Sequence, residues 1–135
     1  MTRILVIRPD GQTLAMDMDS AGGAAGHFCG GMVIRLPEAF HALHHYEVWH
    51  LDDWAGQPVN RAAGNIIGLP FAYEPLRGTV VLTRLPDGQD TRAEREHQRQ
   101  YFGMLDAVDA GFCTADEAGI DYLIRVNSDE GDHAA

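Results

Sequence analysis

The densest run of side chains able to do chemistry is His41-x-x-His44-His45, with His50, Asp52 and Asp53 close behind. On a helix, His41 shares a face with His44 or His45, and imidazoles spaced i, i+3 or i+4 can hold one zinc ion. His50 on a following strand would add a third ligand and leave a position open for water, as a metal-dependent hydrolase requires. Glu47, Asp52 or Asp53 could then accept from the outer imidazole N–H groups. The run is not the HExxH of a zincin, because no Glu occupies the second position. The alternative is a surface helix that is rich in His.

A second set is Trp49, Trp54, Asn60, Arg61 and Tyr73, with Tyr46 close by in the chain. Rings that stack on a base and a guanidinium that meets a phosphate would suit a nucleotide-like ligand. The competing reading is architectural: the Trp rings pack, Asn60 caps a helical turn and Arg61 pairs with a carboxylate.

Nucleophiles are scarce. Ser20 and Ser128 are the two serines, and neither sits in GxSxG. Cys29 with His27 or His41 would be needed for thiol chemistry, and nothing nearby in the sequence lowers a thiol pKa. Asp52 and Asp53 are adjacent and would point to opposite faces of a strand, which argues against a shared acid–base site. Gly22, Gly23 and Gly26 form neither GxxxxGK[ST] nor GxGxxG, so no phosphate loop is expected. No cofactor is implied.

The charge pattern points elsewhere. Among 135 residues, twenty acids outweigh ten basic residues, a net charge of −10, and all ten basic residues are Arg. Residues 1–84 hold eight acids and six Arg, a net of −2, whereas residues 85–135 hold twelve acids and four Arg, a net of −8. Direct nucleic-acid binding needs cations that displace phosphate counterions, so this balance disfavours it. An acidic surface suits a basic partner, including one that itself binds nucleic acid. Asp106, Asp109, Asp116, Glu117 and Asp121 are the candidate contacts. The alternative is that the acids only confer solubility.

The elements that must position these groups are short. Ile4 to Ile7 is apolar on both faces and reads as a central strand covered on both sides. Pro9-Asp10-Gly11 turns it into a partner strand over Thr13–Asp17, making an N-terminal hairpin. Ser20 can cap a helix that Gly30-Gly31 ends. Met32–Leu36 forms a strand, Glu38 to His45 a helix, and Tyr46–Asp52 an alternating strand. Val59–Ala63 reads as one helical turn, and 65–77 as a loop. Gly78–Thr83 is the last strand, and the second Pro-Asp-Gly, at 86–88, reads as the same hairpin chemistry. Thr91-x-x-Glu94 is a capping box for a helix with Tyr101, Met104, Leu105, Val108 and Phe112 on one face. Thr114-x-x-Glu117 starts a shorter helix through Ile120, Leu123 and Ile124.

These elements predict one α+β domain over residues 1–126: a small mixed or antiparallel sheet, interspersed short helices and two C-terminal helices. Residues 127–135 read as an acidic flexible tail. No apolar run approaches the ~20 residues of a membrane helix, and the apolar run before Arg8, Ile4 to Ile7, is four residues long, too short for a secretory signal core. The expectation is a cytoplasmic protein. Cys29 and Cys113, 84 positions apart, are expected to be buried thiols and not a bridge.

The order of Ile4-Leu5-Val6-Ile7, Pro9-Asp10-Gly11, a helix ended by Gly30-Gly31, Asn60-Arg61-Ala62, Ile67-Gly68 and Gly78-Thr79-Val80-Val81-Leu82 resembles domain of unknown function 3846. That family comprises short proteins of bacteria, their phages and mobile elements. The resemblance covers residues 3–84 and the helix start at Thr114–Glu117. It implies a compact α+β fold and a mobile-element setting, and no chemistry. With the charge pattern, it points to a non-enzymatic accessory protein that binds a host macromolecule, for example as an inhibitor of a defence nuclease. A nucleotide binder or sponge, and the metal-dependent hydrolase, are the rivals.

Overall fold

Alternation of side chains along a strand gives each strand two faces, and in this protein both faces of the sheet are apolar. The computed structural model describes residues 2–18, 21–36, 43–67, 76–86, 88–102 and 119–125. Its strands are β1 (Thr2–Ile7), β2 (Thr13–Met18), β3 (Val33–Arg35), β4 (Tyr46–Leu51) and β5 (Val80–Arg84). They form one antiparallel sheet in the order β2-β1-β5-β4-β3. Helices α1 (Ala21–Cys29), α2 (Arg61–Ile67) and α3 (Arg92–Phe102) lie between and after the strands, and residues 119–125 are helical. The protein is an α+β fold.

The double apolar face of β1 is used as its sequence requires. Leu5 and Ile7 join Val48, Val80 and Leu82 on one face, which α2 covers with Ala63 and Ile67 and the helical 119–125 stretch with Ile120 and Ile124. Ile4 and Val6 join Val81 on the other face, beneath Ala25, Phe28 and Cys29 of α1. Each of Ile4 to Ile7 has no exposed surface, so truncating Ile4, Leu5 or Ile7 to Ala would cost ~2–5 kcal/mol.

The first Pro-Asp-Gly builds the expected hairpin. Gly11 N–H donates to the Arg8 carbonyl at 2.9 Å, and Gln12 N–H donates to Asp10 Oδ1 at 2.9 Å. Gly11 sits at φ +90°, a left-handed conformation that glycine adopts without a Cβ clash. The second Pro-Asp-Gly, whose Asp87 lies outside the described residues, joins no hairpin among them: it follows β5 and precedes α3, and both strands beside β5, β1 and β4, come earlier in the chain.

Three further boundaries differ from the sequence reading. The helix expected over Glu38 to His45 does not include 43–45, and 37–42 lie outside the described residues. The carbonyls of His44 and His45 are taken by the N–H groups of Thr91 and Leu85, both at 2.9 Å, and so are tied sideways to the chain that follows β5. The turn expected at Val59–Ala63 is instead α2, which runs on through Ile67 because Ala63 and Ile67, four apart, bury one helical face. Thr91 does not cap α3 through a capping box: its hydroxyl donates to the Leu43 carbonyl at 2.7 Å, and Asp90 Oδ1 accepts the Arg92 N–H at 2.9 Å. Met104, Leu105, Val108, Phe112, the start of the last helix at Thr114 and the tail from 127 lie outside the described residues. Among the described residues no helix is long and apolar enough to cross a membrane.

Candidate functional site

The two ends of β4 separate the histidines. His44 and His45 precede the strand, exposed, with ring centroids 6.4 Å apart. His50 lies near the other end, and at ~3.3 Å per strand residue it is about 16 Å from His45. It is 7% exposed, and its Nδ1 lies 2.9 Å from the Leu51 carbonyl oxygen. Desolvation holds its pKa below the ordinary 6.5. Among the described residues no three or more His, Cys, Asp or Glu gather where they could hold a metal ion. His41 lies outside the described residues. Asp52 and Asp53 follow β4 in a bend, both exposed, and so are not strand neighbours on opposite faces.

The aromatic set is spread across the sheet. Trp49 packs on the face beneath α1, its indole N–H donating to the Thr83 hydroxyl at 3.0 Å. Arg61 is exposed at the start of α2, which packs on the opposite face. Trp54 is half-buried in the turn after β4, and Tyr73 lies outside the described residues.

Asn60 follows the architectural alternative. It is 1% exposed, and Nδ2 donates to the carbonyls of Ile7 and Gly78, both at 2.9 Å. Oδ1 accepts the Ala63 N–H at 3.0 Å, which is the N-cap bond of α2. These three bonds engage both of its amide donors and its oxygen. The thiol reading also meets an opposing environment. Burial pushes Cys29 up to about 11, and its Sγ donates to the Thr79 carbonyl at 3.2 Å. It is a free cysteine; Cys113 lies outside the described residues.

Of the candidate acidic contacts, Asp121 alone is described. Its Oδ1 accepts from the Tyr46 hydroxyl and from Arg84 Nη1, the latter at 3.2 Å. Tyr46 and Arg84 are cross-strand partners on β4 and β5. Arg84 Nη1 also donates to the Tyr46 oxygen at 3.2 Å, and its Cζ lies 5.4 Å from the ring centroid. Burial, reinforced by Asp121, pushes the Tyr46 phenol up to about 12, so it stays protonated as a donor.

The sheet extends this cluster into a polar row. Side-chain alternation and register set Asp17 of β2, Arg3 of β1, Arg84 of β5 and Tyr46 of β4 side by side on the face that carries the larger core. Arg3 makes two bonds to Asp17, of 3.0 and 3.2 Å, which hold the Asp17 carboxyl below its usual range. A cavity of about 220 Å³ opens here, lined by Arg3, Tyr46, Arg84, Asp121, Ile124 and Arg125. A second cleft, of about 370 Å³, lies by Arg35, Glu47, Asp90, Thr91 and Glu94, where Arg35 pairs with Glu47 at 2.7 Å. Sequence spacing did not reveal the first of these, because its residues are far apart in the chain and meet only through strand register and the packing of the helical 119–125 stretch on the sheet.

No family model, no curated protein and no solved structure matches this chain.

Proposed function

We propose that this chain is a non-enzymatic accessory protein of a phage or mobile element that binds a cationic host protein through its acidic segments. The supporting observation is how charge divides along the chain. Residues 85–135 hold twelve acids and four arginines, a net of −8, whereas residues 1–84 hold eight acids and six arginines, a net of −2.

Asp106, Asp109, Asp116, Glu117 and Asp121 are the proposed contacts; Asp121 is exposed and also bonds Arg84 and Tyr46, so the four others carry the test. A field of this sign draws in a basic surface, of the kind that nucleic-acid-binding proteins carry, and acts chiefly on association rate. The resemblance to domain of unknown function 3846 supplies the setting, and inhibition of a defence nuclease is one such role.

The test is a pull-down from a bacterial host across a salt series, followed by kinetics on the captured protein. The variant carrying Asp106→Asn, Asp109→Asn, Asp116→Asn and Glu117→Gln should associate ~10-fold or more slowly at low salt. An association rate indifferent to salt and to all four substitutions removes the proposal.

A further inference from the structure

Two like charges sit side by side on neighbouring strands. The register that sets Ile4 opposite Thr83 places Arg3 beside Arg84 one step further on. Adjacent strands are ~4.8 Å apart, and like charges directly opposite one another destabilise a sheet. A third guanidinium, Arg125, comes from the helical stretch at 119–125 and lines the same cavity of about 220 Å³. Thus three of the ten arginines of a chain with net charge −10 converge on one small opening.

Two carboxylates answer them. Asp17 takes Arg3, and Asp121 takes Arg84. Among the described residues that line the opening or pair with its arginines, three guanidiniums stand with these two carboxylates. The Asp17 and Asp121 side chains are 41% and 56% exposed, so both pairs are wet and individually weak. An incoming anion can therefore replace a carboxylate at little cost. Arg84 is also aimed: Tyr46 holds its Nη1 through the phenol oxygen and underlies its Cζ with the ring. Buried Tyr46 and nine-tenths-buried Ile124 supply an apolar wall that strengthens charge–charge attraction next to it.

We propose that this cavity is an oxyanion site that takes the phosphate group of a small phosphorylated molecule, with Arg3, Arg84 and Arg125 as donors. Planar guanidinium forks match phosphate oxygens in geometry as well as charge. Asp121 competes with the ligand for Arg84 and so sets its affinity. Phosphate binding here is testable whether or not the acidic segments bind a partner.

The experiment is calorimetric and thermal-unfolding titration of the full chain with inorganic phosphate and with adenosine 5′-monophosphate, against chloride at matched ionic strength. Saturable binding and a raised Tm are expected with both phosphates and not with chloride. Arg125→Gln, whose described contact is the ring of Tyr122 at 5.7 Å, should leave the unliganded Tm in place. The same variant should weaken phosphate binding about tenfold, as loss of one charge-assisted donor does.

Asp121→Asn should lower the unliganded Tm yet tighten phosphate binding; a carboxylate with a structural role alone would move neither affinity nor its salt dependence in that direction. No saturable response in the wild type, an equal response to chloride, or an unchanged Kd in Arg125→Gln overturns the site. Weaker binding in Asp121→Asn overturns the competition.

Discussion

The side-chain amide of Asn60 reaches 53 positions back along the chain to donate to the carbonyl of Ile7 at 2.9 Å. The same nitrogen donates to Gly78, and the oxygen caps α2. One buried residue therefore ties the end of β1, the approach to β5 and the start of α2.

Replacing it should be costly. Asn60→Ala removes the cap, worth ~1 kcal/mol, and strips a donor from two carbonyls, so a loss of ~2–4 kcal/mol is expected. Asn60→Asp keeps a capping oxygen but turns a donor into a second acceptor facing those carbonyls, and should be no milder. Urea unfolding measures both. An Asn60→Ala loss below ~0.5 kcal/mol, the level of an ordinary surface change, would show that the network does not hold these elements together.

His50 gives the fold a pH dependence of definite sign. Its folded pKa lies below the unfolded value of about 6.5, because burial disfavours the imidazolium more than the Leu51 carbonyl and Asp52 favour it. Between the two pKa values the unfolded chain binds more protons, so stability rises with pH there. This contribution is complete above about pH 7 and is lost as pH falls through about 6.5 toward the folded pKa. Denaturation midpoints measured over that interval should decline on acidification, and His50→Gln should flatten the slope. An unchanged slope in that variant would assign the effect to other groups.

Cys29 should be a slow thiol. Its pKa near 11 leaves little thiolate at neutral pH, and its Sγ is turned toward the Thr79 carbonyl. In a Cys113→Ser background, alkylation of the native protein at about pH 8 should run at least ~10-fold slower than in denaturant, where an ordinary thiol of pKa ~8.5 is regained. Equal rates in the two conditions would contradict the half-buried environment of the thiol.

Local pattern made much of the framework legible. The unbroken apolar run of Ile4 to Ile7 announced a strand covered on both sides, and β1 is flanked by two strands and buried on both faces. Pro9-Asp10-Gly11 announced the hairpin, and Gly30 ends α1 at φ +82° with its N–H on the Gly26 carbonyl at 3.0 Å. Asn60 had two readings, and its capping bond follows from the residues just after it. The errors share a cause. His44, His45 and Thr91 have local sequences that favour helix or capping, but their hydrogen bonds go to segments forty or more positions away. Distant partners outbid local preference, and a local reading cannot price them.

The sequence alone determined the elements built from neighbours: the hairpin, the apolar faces, the helix stop, and the uneven distribution of charge along the chain. Only the tertiary structure decided which side chains meet. It parted His45 from His50 along β4, set Trp49 and Arg61 on opposite faces, and brought Arg3, Arg84 and Arg125 to one opening. Strand order, register and the docking of helical segments on the sheet make that selection, and they are fixed by the summed burial of both sheet faces, a property of no single segment.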